Sequence, residues 1–215
     1  EILSANPAFD LGRLRITVSS GIGPLGSDRV GNDPTLVLSV APQAAWPETT
    51  GVGLVPWMRN EKSAIVGLKT TSYAENVVAL ETAHDFGFSE ALFLDSKGNL
   101  SEGTGSNVFL VYGNSVVTPS VSNGLLLGIT RELTIEWGRA AGIEIQERDD
   151  LTVQNLEDCE GAFLTSSTRD VQPISQIGFI NSARSLESKR ELSVPSVIHE
   201  LAEIFARESS ANINP

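Results

Sequence analysis

Apolar and polar residues follow two different periods along this chain, and these periods predict strands and helices in turn. Leu14, Ile16 and Val18 alternate with more polar residues, which is typical of a half-buried strand over residues 12–20. Over residues 79–86, apolar side chains recur at i, i+1, i+4 and i+7, and a glycine follows. That spacing predicts an amphipathic helix that ends at the glycine.

The remaining chain continues this mixture of α and β patterns. Short apolar runs predict further strands at residues 35–40, 52–55, 91–94, 108–112, 116–118, 143–146 and 161–165. Pro56 is expected to end the strand at 52–55, because proline cannot donate to a ladder of hydrogen bonds. A second amphipathic helix is predicted from Ile129 to Gly142, and a last one over residues 197–205. The predicted fold class is α+β.

Composition and charge narrow the classes of function. The 215 residues carry a net charge of −12, which argues against a nucleic-acid partner because phosphate backbones need a basic surface. Cys159 is the single cysteine, so no internal disulfide can form. No apolar stretch has the length of a membrane span, and we see no signal peptide. We therefore expect a cytoplasmic protein with no membrane partner.

Lys69 is the first candidate for chemistry. It follows the apolar residues 64–68 and begins a polar turn. A lysine that leaves an apolar strand is partly desolvated, which favours the neutral, nucleophilic amine. Glu102 follows thirty-three residues later in a glycine-rich turn and supplies a carboxylate. The pair makes Schiff-base chemistry a candidate, whereas a surface lysine and a solvated loop glutamate are the plain alternatives.

Residues 21–26 match the spacing Gly-x-Gly-x-x-Gly and follow a predicted strand, as in dinucleotide-binding sites. Such a site also needs a helix that begins within the motif, but residues 27–34 have the composition of a loop. Pro24 moreover removes one amide donor. We therefore expect a flexible substrate loop that carries Arg29, because a guanidinium suits bidentate recognition of a substrate carboxylate.

Two further segments are candidates for anion binding. Residues 128–130 begin the second predicted helix, where free backbone amides and the helix dipole favour negative charge. At the end of the strand at 161–165, four hydroxyl residues follow one another: Thr165, Ser166, Ser167 and Thr168. Their amides and hydroxyls could form a phosphate cup. The alternatives are an ordinary N-cap and a plain polar turn.

The two histidines carry no comparable signal. His84 lies on the helix that follows Lys69, and His199 lies in the polar tail. Neither has a second ligand at the spacing that metal sites use, so the sequence predicts no metal site.

Taken together, these features have a fixed order: a lysine, a Glu-Gly-x-Gly-x-Asn segment, a Gly-Ile-Thr-Arg segment and a hydroxyl-rich strand end before Pro173. That order resembles the class IV aminotransferases, the fold type IV family of pyridoxal-phosphate enzymes. The family includes branched-chain and D-amino-acid aminotransferases and 4-amino-4-deoxychorismate lyases. The resemblance runs from about Arg13 to Ile177, and it is strongest in GLKTTSYAENVVALETA, ALFLDSKGNLSEGTGSNVFLV, TPSVSNGLLLGITRE and AFLTSSTRDVQPI.

The resemblance implies the large cofactor-binding domain of this fold type, with mixed sheets or a pseudo-barrel and flanking helices. It implies pyridoxal 5'-phosphate as the cofactor. Lys69 would form the Schiff base, and Glu102 would pair with the pyridine nitrogen. Leu126 would lie against the ring, while Ile129 and Thr130 would donate backbone amides to the phosphate.

The hydroxyl-rich turn takes its expected roles from the same resemblance. Ser167 occupies the family's threonine position and would donate another amide to the phosphate, with Ser166 beside it at the cofactor. Thr168 and Arg29 are expected at the substrate, a small amino compound. Family members are typically homodimers, and we expect a homodimer here by analogy.

The spacing after the lysine narrows the choice within the family. Branched-chain enzymes resemble Lys-Ala-Gly-Gly-Asn-Tyr, with the tyrosine five residues after the lysine. Tyr73 here comes four residues after Lys69, a shorter spacing that resembles the D-amino-acid aminotransferases and the deoxychorismate lyases. The run KTTSYAENV looks most like bacterial aminodeoxychorismate lyases, which form 4-aminobenzoate and pyruvate from 4-amino-4-deoxychorismate in folate synthesis. The alternatives are an aminotransferase for branched-chain or D-amino acids, and a non-catalytic domain that retains the fold.

The resemblance also predicts a division of the chain. Residues 1–12 are expected to be the remnant of a linker from a missing N-terminal domain, and residues 13–180 the pyridoxal-phosphate-binding domain. Residues 181–215 form a polar C-terminal segment with a terminal helix. In the family, the smaller N-terminal domain supplies an arginine to the cofactor phosphate, and nothing in this chain matches that domain. We therefore expect a fragment that binds the cofactor weakly.

Overall fold

The structure is a computed structural model that describes residues 2–26, 28 and 33–212. The chain divides into two compact units, Glu1–Trp46 and Pro47–Pro215. The domain boundaries predicted after residues 12 and 180 stay predictions.

The first unit contains one antiparallel hairpin of two strands, β1 (Gly12–Ser19) and β2 (Thr35–Pro42). Val18 pairs with Leu36, and Ile16 pairs with Leu38. Since side chains of paired residues lie on the same face, the alternating pattern collects the apolar residues on one side of the hairpin. The two predicted strands are thus confirmed, while Arg29 lies outside the described residues.

The second unit contains the remaining strands and the helices. The strands are β3 (Thr50–Arg59), β4 (Glu90–Asp95), β5 (Leu100–Gly103), β6 (Asn107–Tyr112), β7 (Ser115–Pro119), β8 (Glu144–Arg148), β9 (Gly161–Ser166), β10 (Asp170–Ile180) and β11 (Leu186–Glu191). The helices are α1 (Ala74–His84), α2 (Ile129–Ala140), α3 (Val153–Asp158) and α4 (Ser196–Ala211). Within the part that the structure describes, nine strands form one mixed sheet in the order β5-β4-β3-β10-β9-β6-β7-β8, and β11 pairs with β10.

The sheet curls until its two ends meet. Leu100 N on β5 donates to Leu151 O, just beyond β8, at 2.6 Å, and Asn99 bridges to Thr152. One face of the curled sheet carries a cluster of buried residues from alternate strand positions, such as Leu110 and Leu164, which packs against α3. The opposite face is covered by α1 in one cluster and by α2 and α4 in another.

Five elements differ from the sequence prediction. β3 does not end at Pro56 but continues to Arg59, because its register with β4 shifts between Leu54 and Met58 and so leaves the proline out of the ladder. Strands β5, β10 and β11 and helix α3 were not predicted, since none of these segments shows a clear period of 2 or 3.6. Glu102 therefore lies in a strand and not in a glycine-rich turn.

Candidate active site

A cavity of about 400 Å³ opens in the second unit. Its wall brings together most of the residues singled out in the sequence: Lys69, Glu102, Leu126, Ile129, Thr130, Ser166 and Ser167. Thr168 does not line this cavity, although its three neighbours Thr165 to Ser167 do. The distant segments meet because the ends of β5, β9 and α2 lie at one end of the curled sheet.

Glu102 is a largely buried carboxylate whose side chain is 13 % exposed. Leu126 N donates to its Oε2 at 2.9 Å, and Arg59 Nε lies 3.3 Å from its Oε1. Desolvation by burial raises the pKa of Glu102 from 4.5 to about 7, against the opposing effects of the Leu126 amide, Arg59 and Lys69. The carboxylate is therefore poised to accept a cationic partner from the cavity.

Arg59 is a site residue that the sequence analysis missed. It lies at the end of β3, where its Nη1 donates to Asn76 Oδ1 at 3.0 Å and to Glu75 Oε2 at 3.2 Å. Its guanidinium also stacks over the Phe93 ring, 4.3 Å from the centroid. Only the continuation of β3 past Pro56 carries Arg59 to the cavity, and the local sequence pattern gives no sign of that continuation.

Lys69 lies in the loop between β3 and α1. Its Nζ donates to the Tyr73 hydroxyl at 3.0 Å, and Tyr73 directly precedes α1. The lysine is exposed, and residues 64–68 form turns in which Leu68 is 62 % exposed. The expectation of a desolvated lysine at the end of an apolar strand was therefore wrong. Gly67 turns the chain at φ 72°, which breaks the apolar run before it can extend as a strand.

The N-terminus of α2 forms one side of the cavity. Gly128 is its N-cap, and no side chain caps the helix there. The first backbone amides of a helix have no intrahelical partner, so those of α2 are available to an anion. A Cβ at Gly128 would lie 2.2 Å from Asn107 Oδ1, so a larger residue at this position would force the Asn107 side chain to shift.

The strand end after β9 contributes hydroxyl groups to the same cavity. Ser166 ends β9 and Ser167 follows it in the turn to β10. Thr165 Oγ1 is buried and has no hydrogen-bond partner among the described residues, although Thr165 lines the cavity. A buried hydroxyl without a partner is costly, which indicates that a ligand normally satisfies it.

Two features are absent from the described residues. None of their helices has the length and apolar character required to cross a bilayer. No group of three or more His, Cys, Asp or Glu side chains there is arranged to hold a metal ion.

Comparisons with known proteins agree with this arrangement. The model of the family described as amino-transferase class IV matches residues 1–177. The chain is 31 % identical over 168 residues to a Methanocaldococcus jannaschii protein whose name assigns it to the branched-chain-amino-acid aminotransferases, which covers 76 % of this chain and 58 % of that relative. It is 28 % identical over 201 residues to the aminodeoxychorismate lyase of Bacillus subtilis, which covers 87 % of this chain and 67 % of the lyase.

Solved structures share the fold. A crystal structure from Legionella pneumophila, whose name assigns it to the 4-amino-4-deoxychorismate lyases, superposes with a TM-score of 0.81 at 24 % identity and covers 92 % of this chain and 70 % of that one. The curled mixed sheet with flanking helices is thus the predicted fold type IV architecture. The chain spans about three fifths of the length of the first curated relative, 58 %. With the family model matched over residues 1–177, the chain belongs to the amino-transferase class IV family.

Proposed function

We propose that this chain binds pyridoxal 5'-phosphate in the cavity and acts as a lyase that converts 4-amino-4-deoxychorismate into 4-aminobenzoate and pyruvate. The observation that supports this cofactor is that Glu102 and Lys69 line the same cavity. A buried carboxylate and a primary amine are the two groups that bind a pyridine ring and an aldehyde. A homodimer and a cytoplasmic location, with a role in folate synthesis, are proposed by analogy with the family.

The donor groups of the cavity fit the cofactor at its phosphate end. Ile129 and Thr130 would hold the phosphate through the uncapped amides of α2, where the helix dipole favours an anion. Ser166 and Ser167 would add donors from the turn after β9, and the partnerless Thr165 hydroxyl lies beside them. An anion in this position would satisfy each of these groups.

The ring end of the cavity fits the cofactor equally well. Glu102 is desolvated, which raises its pKa to about 7, and a carboxylate in this state is stabilised by a cationic N–H donor such as a protonated ring nitrogen. Leu126 holds Glu102 Oε2 through its backbone amide, and Asn107 Nδ2 donates to Leu126 O at 2.9 Å. The two bonds fix Leu126 as a wall against which a planar ring can lie.

Pyridoxal phosphate, when bound, supplies an aldehyde that condenses with amines and a ring that withdraws electrons from the amine-bearing carbon. Lys69 would supply the amine that holds the group and, when free and neutral, the base that takes the proton from the amine-bearing carbon. Its Nζ donates to the Tyr73 hydroxyl at 3.0 Å, which orients the amine. Glu102 would hold a proton at the ring nitrogen. The placement of a general acid then decides between elimination of pyruvate and reprotonation, as in amino transfer.

Two observations favour the lyase over the aminotransferase. The Bacillus subtilis lyase aligns with 87 % of this chain, whereas the Methanocaldococcus jannaschii relative aligns with 76 %. Tyr73 also follows Lys69 at the shorter spacing that resembles the D-amino-acid aminotransferases and the lyases, which argues against a branched-chain aminotransferase. The aminotransferase stays the second candidate because that relative has the higher identity, 31 % against 28 %.

Borohydride trapping tests the cofactor and its lysine. Protein mixed with pyridoxal phosphate and reduced is expected to carry a stable adduct on Lys69, mapped by peptide mass spectrometry. Lys69→Ala should abolish the adduct, whereas Lys62→Ala, an exposed lysine of the same loop that does not line the cavity, should leave it intact. Unmodified Lys69 after reduction would support the non-catalytic domain and overturn the proposed function.

The reaction itself is tested by product. Protein loaded with cofactor is expected to release pyruvate from 4-amino-4-deoxychorismate and to show little amino transfer from D-alanine or branched-chain amino acids. Efficient amino transfer without pyruvate release would replace the lyase with the aminotransferase.

A further inference from the structure

Glu90 is a buried carboxylate with an unusual set of partners. It begins β4 and is 3 % exposed. Its Oε1 accepts hydrogen bonds from Ala91 N at 3.0 Å, from Thr104 N at 3.0 Å and from Thr104 Oγ1, while its Oε2 accepts one from Ser106 Oγ at 2.8 Å. Within the described part of the chain, no cation lies within ion-pair distance of it. A buried carboxylate that has only neutral donors is costly, and a hydrophobic residue at this position would avoid that cost. The role of Glu90 in the structure therefore lies in the hydrogen bonds that it accepts.

Three of the four donors to Glu90, from Thr104 and Ser106, belong to one wall of the cavity. This wall is the turn Gly103 to Ser106, closed by the bond from Gly103 N to Ser106 O at 2.8 Å. A Cβ at Gly103 would lie 2.3 Å from Ser106 Oγ and 3.1 Å from Glu90 Cδ. A larger residue at this position would therefore displace the Ser106 side chain from its place beside Glu90. Glu90 thus determines the conformation of the wall that directly follows Glu102.

A continuous series of contacts leads from this wall back to Glu102. Thr104 O accepts a bond from Asn76 Nδ2 at 2.6 Å, which connects the turn to α1. Asn76 Oδ1 in turn accepts from Arg59 Nη1 at 3.0 Å. Arg59 Nε then lies 3.3 Å from Glu102 Oε1. The series joins two carboxylates, one outside the cavity and one inside it.

We propose that Glu90 is a positioning residue for Glu102: its carboxylate fixes the turn Gly103 to Ser106, and the turn, through Asn76 and Arg59, sets the orientation in which Glu102 meets the cofactor ring. This inference deepens the proposed function and rests on it. Glu90 itself does not line the cavity, so it reaches Glu102 through the residues that it holds and through the electrostatic effect of its carboxylate, which adds to desolvation by burial in raising the pKa of Glu102.

A double-mutant cycle on cofactor affinity tests the proposal. Glu90→Gln keeps the side-chain shape and removes the charge, and we expect it to weaken binding of pyridoxal phosphate about tenfold, the size of coupling found within one hydrogen-bond network. Pyridoxal without the phosphate should lose affinity by the same factor, because the affected end is the ring end. In a Glu102→Gln background, Glu90→Gln should have no further effect. Glu203→Gln, on the exposed side of α4, is the matched control.

If Glu90→Gln does not fold, a second variant and a measurement without cofactor still test the proposal. Thr104→Val retains the shape of the turn and removes one donor to Glu90, and it should weaken binding in the same direction by a smaller factor. Hydrogen exchange of residues 100–107 without cofactor should be faster in both variants than in the wild type. Exchange that is unchanged in both would contradict the proposed hold on the turn.

The outcomes separate this inference from the proposed function. A wild type that binds no pyridoxal phosphate overturns the function. A wild type that binds, together with a Glu90→Gln variant of unchanged affinity, overturns the inference alone. An equal loss in the wild-type and Glu102→Gln backgrounds also overturns it, because Glu90 would then not act through Glu102.

Discussion

At the scale of single residues, the chemistry depends on the different solvent exposure of two side chains of opposite charge. Glu102 is withdrawn from water in β5, whereas Lys69 stays exposed in its loop and is held by Tyr73. The carboxylate therefore gains from any cation that enters the cavity, and the amine is accessible to an aldehyde. This division of environments suits a ligand that carries an aldehyde and a basic ring.

The raised pKa of Glu102 predicts a pH dependence of stability in the absence of cofactor. Its pKa is about 7 in the folded protein against an ordinary 4.5, so between these values the native state binds more protons than the unfolded state. Stability should therefore fall as the pH rises from about 4.5 to about 7, by on the order of 3 kcal/mol. Urea unfolding of wild type and Glu102→Gln at pH 5 and 7.5 measures this difference. A variant with the same pH dependence as the wild type would contradict the assignment to Glu102.

At the scale of secondary-structure elements, the site is formed by the ends of strands and helices rather than by their central residues. The uncapped start of α2 contributes backbone amides, the end of β9 contributes hydroxyl groups, and the short strand β5 contributes the Glu102 carboxylate. Close approach between them depends on glycine, since Gly128 faces Asn107 and Gly103 faces Ser106 without room for a Cβ. The elements therefore pack closely against one another at the cavity as well as in the hydrophobic core.

Gly128→Ala tests this fit at the start of α2. The new Cβ would meet Asn107 Oδ1 at 2.2 Å, so Asn107 must shift and weaken its bond to Leu126 O. We expect a loss of stability of about 1–3 kcal/mol, as for other overpacked sites, and weaker binding of pyridoxal phosphate. Thermal unfolding and fluorescence titration measure the two effects. Unchanged cofactor affinity in a folded variant would show that the approach of α2 to β6 does not shape the site.

At the scale of the whole molecule, the second unit contains every residue that lines the cavity. The three hydrophobic clusters are built from residues between Val52 and Phe205. Every residue that lines the cavity lies between Arg59 and Ser167. The curled sheet brings its two ends together through the hydrogen bond between Leu100 and Leu151.

A shortened chain tests this independence. Residues 47–215, expressed without the first unit, are expected to fold cooperatively and to form the borohydride-trapped adduct on Lys69, because they retain all three clusters and the cavity. Calorimetry and mass spectrometry check the two expectations. Aggregation or the lack of a cooperative transition would show that the second unit needs the first.

The sequence by itself determined the elements with a clear period and the order of the chemical groups. The strand at β1, the helices α1 and α2 and the order of Lys69, Glu102 and Thr130 could be predicted because period and spacing are local properties of the chain. Only the tertiary structure decided that β3 continues to Arg59, that Glu102 is buried and Lys69 exposed, and that Glu90 holds the turn beside Glu102. These features depend on pairing and burial between segments far apart in the chain, and no local pattern of apolar and polar residues encodes which distant segment will cover a side chain.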